Sequence, residues 1–251
     1  ERRFGMPSQG VWPAEGAVSG AFLDLLASHG CRWTASGEAV LANSLRQIQG
    51  SALPERSQFL YRPYRFNGHA GPVTLFFRDD KLSDMVGFEY AKWFGKDAAL
   101  HFLHSLEDIL KRASQSATPV VSVILDGENA WEYYPYNGYY FLSDLYGALE
   151  GHPGIRTTTY RDYLAANPEA AELPRLVAGS WVYGTFSTWI GSPDKNHAWD
   201  LLAAAKASYD LVMGSGRLSE EEKTAAEKQL AVCEGSDWFW WFGDYNPAHA
   251  V

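Results

Sequence analysis

The chain of 251 residues is 46% hydrophobic and carries a formal net charge of −9, which suits one large α/β domain or two small ones. No Lys/Arg cluster offers a phosphate-neutralising face, so neither nucleic acid nor an anionic membrane surface is an expected partner. No apolar run approaches the roughly 20 residues that span a bilayer, and E-R-R-F-G-M-P-S-Q lacks a signal peptide's apolar core. Cys31 and Cys233 show neither disulfide-framework nor zinc spacing, and a cytoplasmic setting is the expectation.

In chain order, an amphipathic stretch from Ala17 to Ser28 precedes a strand, Cys31 to Ala35, and a helical pattern from Glu38 to Gln47. V-T-L-F-F at Val73 to Phe77 is a second strand, running into Arg78, Asp79 and Asp80. Asp97 to Arg112 places Leu100, Leu103, Leu106, Ile109 and Leu110 on one helical face. Val120 to Leu125 follows as a strand whose lack of alternation implies burial on both faces. A helix from about Gly138 to Leu149 and a β-branched strand from Ile155 to Thr159 complete the alternation. Such βα repetition predicts an α/β fold with parallel strands, and reactive groups of α/β barrels sit where strands run into their following loops. Asp79, Asp126 and the residues after Tyr160 would all face one cleft. Gly179 to Gly191 reads as a Gly- and aromatic-rich loop over it. Beyond Asp194, Lys195 to Met213 and Ser219 to Val232 are helices, the second capped by Ser219 with Glu220, Glu221 and Glu222 in its first turn.

The chemistry concentrates at L-D-G-E, where a buried strand ends in Asp126 and Glu128. Alone, that pair reads as a turn. The 10 Trp, 14 Tyr and 13 Phe add residues that stack on sugar faces while bonding hydroxyls, although a core role is the plainer reading of any one of them. Glycoside cleavage needs a second carboxyl across the scissile bond. Two segments compete to supply it: V-W-P-A-E-G-A, where Glu15 is otherwise a first-turn acid before a helix, and F-R-D-D-K-L-S-D-M-V-G-F, where Arg78 pairs with Asp79 or Asp84. A metal hydrolase would need more than His101 and His104, spaced i, i+3 on one helix, and no metal or cofactor is expected. No nucleophile elbow and no Gly-rich phosphate loop is present.

W-P-A-E-G-A, L-D-G-E-N-A-W and G-S-D-W-F-W-W-F-G-D, with the F-R-D-D and G-S-W-V-Y-G segments, resemble the conserved regions of glycoside hydrolase family 57, in its α-amylase-like branch, from residue 10 to 246. The resemblance implies a partial (β/α)7-type barrel over residues 1–192 and a helical region over 193–251 that packs on it and carries the last motif. It implies a retaining glycosidase or glucanotransferase of α-glucans, with Glu15 as nucleophile and Asp126 as acid/base about 5 to 5.5 Å apart. Glu128 and Asp237 become substrate-site carboxylates and Trp12, Trp131 and Trp240 sugar platforms, with Arg78 and Asp84 added to the same cleft. The family's first two regions have no counterpart before Trp12. The missing strands are therefore expected from the remainder of its own polypeptide, which puts activity of the isolated chain in question. The rival reading is a non-catalytic carbohydrate-binding barrel, or an inactive fragment of such an enzyme, against which the presence of both Glu15 and Asp126 argues.

Overall fold

A computed structural model describes residues 5–113, 118–127 and 130–242, which fall into two compact units that divide between Gly184 and Thr185. The first unit holds β1 (Gly10–Val11), α1 (Gly20–Ser28), β2 (Trp33–Gly37), α2 (Glu38–Gln49), β3 (Tyr64–Asn67) and β4 (Pro72–Arg78). It continues with α3 (Asp80–Asp84), α4 (Gly95–Arg112), α5 (Tyr139–Glu150), α6 (Tyr160–Ala166) and β5 (Ala171–Glu172). The described strands form one open sheet in the order β1-β2-β4-β3-β5. Its ladders are parallel except where β3 meets β4, because the short link from Asn67 to Pro72 allows only a hairpin return.

β4 is the centre of this sheet because both its faces are apolar. Leu75 and Phe77 point into a core with Val18, Leu23, Val40 and Leu41, while Phe76 points the other way onto Ala35 and Tyr163. All three β4 residues are at most 2% exposed. β2 runs beside β4 from Trp33↔Thr74 to Gly37↔Arg78, so both strands stop at the same level and deliver Glu38 and Asp79 side by side. A second core forms between α4 and α5, around Phe102, Tyr134, Phe141 and Leu145.

Two expected strands do not form. Val120 to Leu125 stays extended but joins β4 by a single parallel bridge, Arg78↔Ser122, with Asp79 N donating to Ser122 O at 2.8 Å. Beyond that bridge its backbone turns to other partners: Val120 N donates to Tyr61 O, and Ile124 N to Ser83 Oγ. On its far side lies an apolar crevice of about 1010 Å³, bounded by Phe102, Leu106, Leu145 and Ile155. Ile155 to Thr159 forms its opposite wall instead of a ladder, and Thr159 caps α6 by accepting from Asp162 N. Among the described residues no ladder pairs the two segments.

The second unit consists of α7 (Pro193–Met213), α8 (Glu220–Cys233) and α9 (Asp237–Trp241) with the segment that leads into them. Ser219 and Glu222 make a capping box, satisfying two backbone N–H groups reciprocally at the start of α8. Trp199 of α7 stacks on Phe239 of α9 with ring centroids 4.1 Å apart, and Lys195, 2% exposed, donates to Thr188 O. No helix among the described residues is long and apolar enough to cross a membrane.

Candidate functional site

Acids lie at the C-terminal ends of three adjacent parallel strands: Glu38 and Asp79 follow β2 and β4 directly, and Glu15 lies four residues beyond β1. After β1 the chain enters a single 3-10 turn, Ala14–Gly16, closed by Gly16 N donating to Pro13 O. α1 begins only at Gly20, so Glu15 is not a first-turn acid of a helix, as its position in the sequence suggests, but the centre of a turn. Its backbone is left-handed, at φ 58° and ψ 21°. For a residue with a Cβ that conformation costs on the order of 1–2 kcal/mol, so the surroundings must hold it.

Trp181, the next residue after the buried Ser180, does so at two points. Its backbone N–H donates to Glu15 O at 3.0 Å and its indole Nε1–H to Glu15 Oε2 at 2.9 Å. The neighbouring Gly16 O accepts from Ser36 Oγ at 2.6 Å, tying the turn to β2. Trp181 itself sits against Gly37, where a Cβ would lie 2.6 Å from Trp181 Cα; only glycine lets the two backbones approach so closely. Trp12, half-buried, meets the Trp181 ring edge-on at 5.4 Å.

The guanidinium of Arg78 lies 4.9 Å from the centroid of the Trp181 ring, a cation–π contact. Arg78 is 6% exposed, and its remaining donors go to Asp80 at 2.9 Å, Asp84 at 2.8 Å and Ile124 O at 3.0 Å. The last bond fixes the backbone two residues before Asp126. Asp84 is about half exposed. A continuous set of contacts thus runs from the Glu15 carboxylate through the indole and the guanidinium to the segment that ends in Asp126. Asp126 is partly buried, and Glu128 lies outside the described residues.

Asp79 does not pair with Arg78. Successive strand residues point to opposite faces, so Asp79 turns away, to Arg56 at 2.7 Å and to Tyr61, whose hydroxyl donates at 2.8 Å. Arg56 also grips Glu38 with two bonds, at 2.5 and 2.6 Å, and Asp79 caps α3 by accepting from Leu82 N. Burial disfavours the charge on Arg56, but its bonds to Glu38 and Asp79 outweigh that and raise its pKa. Burial, followed by the charge of Asp79, raises the Tyr61 phenol. Burial likewise pushes Asp80 up to about 6, with Arg78 opposing.

The other predicted residues are placed separately. Trp131 is half-buried in the α4/α5 core, edge-on to Tyr134 at 5.4 Å. Asp237 and Trp240 belong to α9 of the second unit, where Trp240 is 41% exposed and faces Trp189 at 5.8 Å. The large crevice is lined by neither Glu15 nor Asp126. His101 is bonded to Tyr90 at 2.7 Å, and among the described residues no three His, Cys, Asp or Glu side chains are grouped to hold a metal. Cys31 and Cys233 are free thiols. Trp181, Glu38, Arg56 and Tyr61 were not identified from sequence as site residues. Two signals were present: Glu38 follows a strand and Gly37 directly, and Trp181 opens the aromatic loop after Gly179.

Carboxylates and tryptophans at the C-terminal ends of parallel strands are the arrangement of α/β enzymes. A family model, Glycosyl hydrolase family 57, matches residues 1–174, and the chain belongs to that family. The structure is similar to a GH57 branching enzyme from the hyperthermophilic archaeon Thermococcus kodakaraensis, crystallised with glucose, with 17% identity and a TM-score of 0.70 over 96% of this chain and 55% of that chain. It is also similar to a 4-alpha-glucanotransferase from Thermococcus litoralis, with 18% identity and a TM-score of 0.56 over 82% of this chain and 30% of that chain. At such identities the likeness is one of fold, and this chain spans about half of the first and about a third of the second. No curated protein matches it.

Proposed function

We propose that the chain carries the two catalytic acids of a retaining enzyme that hydrolyses or transfers α-glucan chains. Glu15 is the nucleophile and Asp126 the acid/base. The observation that supports this most is the state of Glu15: a carboxylate held by an indole N–H on a strained, left-handed turn, in a chain of glycosyl hydrolase family 57. Backbone strain of this kind persists only where the surroundings hold it, and it clusters at active sites.

In the first displacement, Glu15 attacks the anomeric carbon while Asp126 protonates the departing glycosidic oxygen, leaving a glycosyl ester on Glu15. In the second, Asp126 removes a proton from water or from a sugar hydroxyl, which attacks the ester and restores Glu15. Hydrolysis and transfer differ only in that acceptor, and the two similar structures are named a 4-alpha-glucanotransferase and a branching enzyme. Trp12, Trp131 and Trp240 are assigned as sugar-stacking residues, and Asp84, Glu128 and Asp237 as carboxylates that contact sugar hydroxyls. Arg78 serves the same cleft. The open edges of the sheet fit this reading, with further strands of the polypeptide completing the cleft.

In the full-length protein, Glu15→Gln and Asp126→Asn should each lower product formation from soluble α-glucans by about a thousandfold or more, with unchanged circular dichroism. Wild-type rates in either variant would remove that residue from the mechanism.

A further inference from the structure

The geometry points to Trp181 as a positioning residue for the nucleophile, one that fixes the rotamer and the backbone of Glu15 without touching the substrate. This rests on the reading of Glu15 given above. A carboxyl on a flexible side chain attacks efficiently only when its rotamer is fixed beforehand, because each lost rotation otherwise has to be restricted during the reaction. Trp181 fixes both ends of Glu15: its amide holds the carbonyl and its indole holds Oε2. One residue thereby supports the left-handed backbone and aims the side chain that extends from it.

The support is itself seated on three sides. Gly37 allows the Trp181 backbone to lie against β2, Trp12 abuts one ring edge, and the Arg78 guanidinium covers the ring. Arg78 cannot drift, since Asp80, Asp84 and Ile124 O hold its donors. Its bond to Ile124 O places the same guanidinium in register with the segment that ends in Asp126. The indole thus lies between the nucleophile and the guanidinium that holds the segment carrying its partner, with its N–H aimed at a Glu15 carboxylate oxygen.

The test removes only that N–H. Replacing Trp181 by 3-benzothienylalanine, in which sulfur stands where the indole has N–H, keeps the ring and its contact with Arg78. With an α-glucosyl fluoride as substrate and the full-length protein, kcat should fall between about ten- and hundredfold, the loss of one hydrogen bond to a charged group. KM should stay within about twofold, and the melting temperature should fall by no more than a few degrees. Trp181→Phe should reproduce the kcat loss. Unchanged kcat in the benzothienyl protein overturns the inference, as does an unchanged kcat with a raised KM, which would make Trp181 a sugar platform. Glu15→Gln is measured alongside: if it retains activity, the nucleophile assignment has failed; if it is inactive while the benzothienyl protein is fully active, only the positioning role has failed.

Discussion

The two segments V-T-L-F-F and V-S-V-I-L each hold four apolar residues and one hydroxyl residue, yet the first is the centre of the sheet and the second hangs on it by one bridge. β4 is flanked along its length by β2 and β3 and packs on both faces. Residues 120–125 border β4 at one point and an apolar crevice on the other side. Hydrophobicity decides that a segment leaves water; neighbours decide whether it becomes a strand. The consequence for the site is an asymmetry. Glu15 sits beside paired strands, an indole and a close glycine contact, whereas the segment before Asp126 is held by one bridge and by bonds to Arg78 and Ser83.

The largest difference should appear in paired truncations. Leu75→Ala, at a side chain with no exposure, should cost about 3 kcal/mol in urea unfolding, and Leu125→Ala, half-buried at the crevice wall, about 1 kcal/mol. Equal costs would mean that residues 120–125 are as firmly packed as β4. A smaller effect sharpens the comparison at the Arg78 cluster. The Asp80 carboxyl is raised to about 6 in the folded protein from an ordinary 3.8, so between those values the folded state holds a proton that the unfolded state has released. The stability this group contributes is therefore fully present below about pH 4 and lost as pH rises through 6. Relative to Asp80→Asn, the wild type should become less stable from pH 4.5 to 7.5. A difference that grows with pH would show that pairing with Arg78 outweighs burial.

Helix positions were legible in the sequence although burial was not: Leu100 and Leu110 of the α4 pattern are exposed, and α8 has no buried residue. α4, α5, α7 and α8 start and stop within two residues of their apolar patterns, and Ser219 caps where its Glu-rich first turn predicts. The short ladder at Val120 to Leu125 was not legible, since a sequence carries no record of which edge meets which neighbour. At the site, the W-P-A-E-G-A segment identified Glu15 but not its left-handed backbone, which depends on Trp181, 166 residues away. Arg78 left two partners open in sequence, Asp79 or Asp84. Strand alternation excludes the first, and the turn into α3 brings Asp80 in beside Asp84. Local chemistry could be read; contacts between distant segments could not.

The most direct measurement is trapping of the glycosyl-enzyme. A 5-fluoro-α-glucosyl fluoride forms its ester quickly and releases it slowly, so the full-length protein can be digested and the modified peptide sequenced by mass spectrometry. The account predicts one added fluoroglucosyl group on Glu15 and none in the Glu15→Gln variant. A label on Asp126 or on any other carboxylate would contradict it.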